Sequence, residues 1–212
     1  MWDVFDMEGY GWMLWEGAGV TIAVGLLAMV VAILLGLAGA WGRLNRSAFI
    51  RGVAAVYTTV VRGVPELVMI MLVYYGVPTL IQNIFSMAGY EILIDLNPFR
   101  AGVLTIGFIY GAFTTEVFRG AFLAVDKGQI EAARAIGMSK ALSFRRIVLP
   151  QMMRIALPGL GNVWMVLIKA TALVSLIQLT ELMFKTNTAY MNTRKPFTFF
   201  FAASLIYLGI TV

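Results

Sequence analysis

From Gly17 to Gly42 the chain runs without a single charged side chain. A secretory signal core holds about 7–15 apolar residues behind a basic start, whereas a membrane-spanning helix needs about 20. The run is too long for the first. The residues ahead of it include Asp3, Asp6, Glu8 and Glu16, which are acidic. It reads as an uncleaved first spanning helix whose N-terminus stays outside. Composition points the same way. Of 212 residues, 60% are hydrophobic and 13% charged, against roughly 25% charged in ordinary soluble domains. Such a chain is not a soluble enzyme around one buried core but an integral membrane protein.

Four further apolar segments follow. The second starts after Arg51 and reaches about Gln82, interrupted by Arg62, Pro65 and Glu66. The third runs from Pro98 to about Val125, with Glu116 and Arg119 near its end. The fourth runs from about Ile147 to Leu179 and contains Pro150, Arg154, Pro158 and Lys169; the fifth begins at Pro196 and is still apolar at Val212. At about 1.5 Å per residue the fifth covers roughly 24 Å of a core roughly 30 Å thick. The reading therefore expects further residues beyond Val212.

Charge in the loops gives the orientation. Arg43, Arg46 and Arg51 follow the first segment with no acid among them, and Lys127, Arg134, Lys140, Arg145 and Arg146 outnumber Asp126 and Glu131 after the third. The positive-inside rule places both loops in the cytoplasm. The loop after the second segment holds Glu91 and Asp95, as an outside loop should; the stretch from Glu181 to Lys195 departs from the pattern with Lys185, Arg194 and Lys195. The expectation is an all-α membrane protein: one transmembrane domain over residues 1–212, five spanning helices, N-terminus out and C-terminus in.

Absent residue types narrow the chemistry. There is no cysteine and no histidine, which removes thiolate chemistry, the usual zinc sites, Ser-His-Asp triads and a histidine base. No G-x-x-x-x-G-K-[ST] phosphate loop occurs. The net charge of +5 is accounted for by basic cytoplasmic loops, and no nucleic-acid partner is needed. No cofactor and no metal site is expected in this chain.

One cytoplasmic stretch has distinctive spacing: Glu131-Ala132-Ala133-Arg134-Ala135-Ile136-Gly137, nine residues, then Ile147-Val148-Leu149-Pro150. Gln129–Ile136 is a run of good helix formers, Gly137 a C-terminal cap, and Ser139 a cap for a second short helix. Pro150 falls near a helix start or makes a kink. Two small helices are thus expected between two spanning helices. Small side chains at Ala132 and Ala133 let another backbone approach, and Glu131 and Arg134 can fix its register. An amphipathic pair lying on lipid is the plainer alternative.

The spacing resembles the EAA motif of ABC importer permease subunits, with Glu131, Ala132, Ala133, Gly137, Ile147, Leu149 and Pro150 in the motif positions. Arg62-Gly63-Val64-Pro65, Thr115-Glu116-Val117-Phe118-Arg119-Gly120-Ala121, Ala156-Leu157-Pro158 and Lys169-Ala170-Thr171-Ala172-Leu173 are similar to elements of the polar amino acid branch. The histidine/lysine/arginine/ornithine and opine permeases are the nearest in type. The resemblance implies a bacterial inner-membrane, multi-pass transport subunit that is not itself an enzyme. It implies two ATP-binding subunits that hold ATP and magnesium, a second homologous permease subunit and a periplasmic amino-acid-binding protein. The EAA loop would dock on an ATP-binding subunit, and lipid surrounds the rest.

Charges within the spans cost about 2.5–3.5 kcal/mol on insertion scales and usually face a cavity or a partner. Arg62 and Glu66 share one face if their helix continues. They are either a structural pair or a divided site, Arg62 taking a substrate carboxylate and Glu66 a cationic group. Glu116 is the candidate for an amino or guanidinium group, with an ion pair to Arg119 as the alternative. Tyr110 and Thr114 are placed at the same site, with a bond from the Thr114 hydroxyl to its own helix backbone as the alternative. Lys169 pairs with a carboxylate across a helix interface or on a second subunit; both remain open. Gly107-x-x-x-Gly111 permits close helix approach. Glu66 and Glu116 together favour a cationic amino acid. The alternatives are glutamine or another polar amino acid, a proton-coupled secondary transporter, or a scaffold without flux.

Overall fold

In the computed structural model the charge-free run lies inside one helix, α1 (Gly11–Arg43, 33 residues). The structure describes residues 7–90, 92, 94 and 96–212, all of it helix, turn or loop, with no strand among the described residues. Asp3, Asp6, Glu91 and Asp95, used above for orientation, lie outside the described residues.

The second apolar segment is not one span. Helix α2 (Ala48–Gly63) ends at Gly63, and α3 (Glu66–Met71) starts behind Pro65 with φ −56° and ψ 135°. Proline bars the α conformation at the residue before it and lacks the N–H a continuing helix would use. Beyond the break, α3 runs through a π-helical turn at Leu72–Gly76 into α4 (Val77–Met87), and Pro78 follows in the first turn. The apolar stretch long enough to cross is Glu66–Met87, not a segment that starts after Arg51.

Helix α5 (Pro98–Leu123) matches the third expected segment. Next come α6 (Lys127–Ala135) and α7 (Lys140–Ser143). The expectation of two separate small helices holds for α6 only. Helix α7 passes through a π turn at Phe144–Val148 directly into α8 (Leu149–Ala170) and a 3₁₀ stretch at Thr171–Ile177. Pro150 cannot donate the bond that an α-helix needs at that position, and the wider turn just ahead absorbs the gap, with the Leu149 N–H reaching the Phe144 carbonyl. The stretch after Glu181, expected as a loop, is helix α9 (Leu182–Thr193), and α10 (Pro196–Thr211) closes the described chain. Among the described residues, four stretches are long and apolar enough to span a membrane: α1, Glu66–Met87, α5 and Lys140–Ile177; α10 is a shorter apolar helix.

The described residues group into two compact units. The first takes the chain up to Val31, Val64–Ile109 and Trp164–Val212. Its core joins Leu14 of α1, Leu182 and Ala189 of α9, and Phe199, Ala202 and Ala203 of α10. Gly17 lets α1 meet α9 backbone to backbone: a Cβ there would lie 2.8 Å from Leu182 Cα. The second unit takes Ala32–Gly63 and Tyr110–Val163. Here Gly36 and Gly39 of α1 receive the side chains of Thr114 and Thr115 from α5. The Thr114 hydroxyl donates to the Ala32 carbonyl at 2.6 Å. The glycine spacing on α5 serves packing in both units: Gly107 abuts Val31 in the first and Gly111 abuts Leu35 in the second.

Candidate functional site

The loop with the distinctive spacing is built from local signals. Asp126 caps α6, its carboxylate accepting the Gly128 N–H at 2.6 Å. At the other end Gly137 has φ +77°, the Gly137 N–H donates to Arg134 O at 3.0 Å, and the Met138 N–H donates to Ala133 O at 3.0 Å. That pair of bonds is a Schellman closure, which needs a residue free to take positive φ. Ser139 then caps α7, accepting the Leu142 N–H at 3.3 Å. Gln151 of α8 donates to the Gln129 side chain at 2.8 Å and so ties α6 to the base of the long helix. The loop presents Glu131, Ala132 and Arg134 to solvent, while Ala133 is buried against its own chain. Ile147 and Leu149 are half-buried and Pro150 exposed at the junction into α8. The result is an exposed, rigidly capped helix with a small side chain between two opposite charges, mounted on a helix long enough to cross the membrane. Such an element can pass a push from a docked partner into a span.

Of the five residues singled out for substrate, Arg62, Tyr110, Thr114 and Glu116 belong to the second unit and Glu66 to the first. Glu116 lies between two arginines of its own unit. Arg119 Nη1 donates to Oε2 at 3.2 Å, and Arg43 Nε stands 3.4 Å from Oε1. The sequence spacing indicated Arg119; Arg43, at the far end of α1, was not foreseen. Thr114 is fully buried and its hydroxyl serves the α1–α5 contact. Tyr110 is buried too, its ring 5.5 Å from that of Phe113. Arg62 is exposed at the end of α2 and lies over the Phe113 ring at 5.3 Å, within cation–π range. Because the helix stops at Gly63 and restarts after Pro65, the four-residue spacing does not set Arg62 and Glu66 on one helix face.

Glu181 is a polar centre that the sequence reading passed over. It is fully buried in the first unit. Its carboxylate accepts the Met183 N–H at 2.9 Å and the Phe184 N–H at 2.8 Å, capping α9. It also accepts the Tyr207 hydroxyl at 3.0 Å and the Thr21 hydroxyl at 3.3 Å. One side chain thus pins α1, α9 and α10 together. Salt bridges follow the same elements: Lys185 to Glu16 at 3.1 Å and Lys195 to Glu8 at 2.9 Å. Two of the three cations that broke the charge pattern are therefore matched by acids of the N-terminal segment. Lys169 is exposed on α8, beside a groove lined by Met165, Ala172, Ser204 and Tyr207.

Helices long and apolar enough to span a membrane, with an exposed, capped helix leading into one of them, define a membrane-embedded protein. The chain belongs to the family described as binding-protein-dependent transport system inner membrane component, whose model matches residues 28–212. It is accordingly a multi-pass inner-membrane permease subunit and not an enzyme. It is 45% identical over 205 residues to the histidine/lysine/arginine/ornithine transport system permease protein HisQ of Salmonella typhimurium, covering 97% of this chain and 90% of that one. It is 42% identical to the octopine transport system permease protein OccQ of Rhizobium radiobacter over 98% of this chain and 87% of the relative. Among solved structures, an amino acid ABC transporter matches with a TM-score of 0.81 at 31% identity over 97% of this chain and 90% of that one.

Proposed function

We propose that this chain is one permease subunit of an ATP-driven importer for cationic amino acids. The reading rests on the likeness, across nearly the whole chain, to a relative named for histidine, lysine, arginine and ornithine transport. In the proposed assembly a periplasmic binding protein delivers the substrate, and a second, homologous permease subunit completes the pathway. Two ATP-binding subunits hold ATP and magnesium and receive the α6 loop. The N-terminus lies outside, which puts the loops holding Arg46 and Lys127 in the cytoplasm.

Arg62, Glu66, Tyr110, Thr114 and Glu116 remain the proposed substrate-side residues. Arg62 is exposed and Glu66 half-buried, so these two are reachable without repacking. Glu116 is different. Its charge is shared by Arg43 and Arg119, so a substrate cation must displace one of them. Lys169 supports a wet or partnered face on α8, since an exposed ammonium against lipid at a span's interior is costly.

The test is reconstitution with the candidate ATP-binding subunits, second permease and binding protein, followed by uptake of labelled arginine, histidine and glutamine with and without ATP. ATP-dependent uptake favouring arginine or histidine is the expected result. Uptake of glutamine alone would retain the importer and discard the cationic substrate. Uptake that ignores ATP and follows an imposed proton gradient would discard the importer. In the same vesicles Glu116→Gln is expected to cut uptake of a cationic amino acid much more than that of a neutral one. Equal loss would make Glu116 a structural partner of its two arginines. Glu131→Lys is expected to keep the fold and lose ATPase binding; unchanged co-purification and transport would remove the docking role.

A further inference from the structure

The second unit contains a groove of about 530 Å³ whose lining includes none of the residues proposed for substrate or docking. Its walls are apolar: Leu37 and Trp41 of α1, Phe118 and Phe122 of α5, Phe144 of the π turn and Met152 of α8. Its polar lining is Asn45 and Arg46, in the turn between α1 and α2. Arg46 is exposed and makes no ion pair with a described residue, while the nearest acid in the unit's α1–α5 contact, Glu116, is already held by Arg43 and Arg119. From Gly17 to Pro65 the sequence has no acid at all. Helix α2 starts immediately after this turn with no acid in its first turn; the Asn45 side-chain oxygen accepts the Ser47 N–H at 2.9 Å, which leaves the helix's positive end without a countercharge from its own first turn. Trp41 is 66% exposed at the end of a spanning helix, where tryptophan marks a membrane–water interface.

We propose that this groove holds an acyl chain of an anionic phospholipid from the surrounding membrane, with the headgroup phosphate on Arg46, the Asn45 amide and the start of α2. The apolar walls suit the chain and the acid-free basic rim suits the phosphate. A docking protein segment finds only one sign of charge at that rim and no backbone groups to pair with along the walls.

The experiment uses the full chain assembled with its copurifying subunits in vesicles containing phosphatidylglycerol with a photoreactive diazirine on the acyl chain. Labelled peptides are mapped by mass spectrometry. Label is expected on Trp41, Phe122 or Phe144 and is competed by unlabelled phosphatidylglycerol but not by phosphatidylcholine. Arg46→Ala should lower it about fivefold, the worth of one basic residue at an anionic surface. Leu37→Trp, which fills the groove from a position already 42% exposed, should abolish it. The site is refuted by unlabelled groove residues, by equal labelling from the phosphatidylcholine analogue with no effect of Arg46→Ala, or by labelling that appears only when the other subunits are absent. The last result would assign the groove to a protein partner.

Discussion

Glu181 shows how much one side chain can determine. A buried carboxylate is costly unless it is fully hydrogen-bonded, and here four donors converge on it from three helices. Glu181→Ala removes a helix cap worth about 1 kcal/mol. It also takes the acceptor from the buried Thr21 hydroxyl, at about 1–3 kcal/mol for a buried group left unpaired, and from the half-buried Tyr207 hydroxyl, at less. The purified complex should therefore lose thermal stability clearly with Ala and less with Gln, which keeps one acceptor oxygen; a Gln variant as damaged as Ala would mean the charge itself is required. Glycines give a second comparison at this scale. A Cβ at Gly36 runs into Thr114, whereas one at Gly19 meets nothing within 4 Å. Gly36→Ala should cost about 1–3 kcal/mol through overpacking, and Gly19→Ala should be neutral or stabilising, since alanine is the better helix former. Thermal denaturation of the two variants side by side checks this.

Among the elements, the α6–α7 loop hinges on Gly137, and a non-glycine residue at its φ of +77° costs about 1–2 kcal/mol. Gly137→Ala should speed hydrogen exchange around Ala133–Ser143 and leave α5 and α8 unchanged; unaltered exchange would show that the closure tolerates a side chain. This loop was legible from sequence because its caps and its spacing are local: Ser139, Gly137 and the alanine-rich run each act within a few residues. The spans were legible because their apolar runs are long. What escaped was set by distant contacts. Helix α9, with its sequence LMFKTNTAYMNT, carries several weak helix formers and is held by Glu181 and by packing on α10. The Arg43–Glu116 contact joins two different helices and has no signature in spacing. The Pro65 break was visible, but the apolar residues on both sides read as one segment because hydropathy does not register a missing N–H.

For the whole molecule, the decisive property is which face of the membrane each end occupies. The chain has no cysteine, so single introduced cysteines report their own surroundings. The charge pattern favours the Arg43–Arg51 turn and the Lys127 loop as cytoplasmic, with the end of α9 outside. The pairing of Lys185 and Lys195 with Glu16 and Glu8 sets the cations that disturbed that pattern on the same side as the start of α1. In intact cells Asn192→Cys, exposed near the end of α9, should react with a membrane-impermeant maleimide. Ser47→Cys and Lys127→Cys, both exposed, should react only after permeabilisation. The inverse pattern would put the α6 loop on the side where no ATP-binding subunit can reach it. The coupling role would then fall even though every local feature of the loop stood as described.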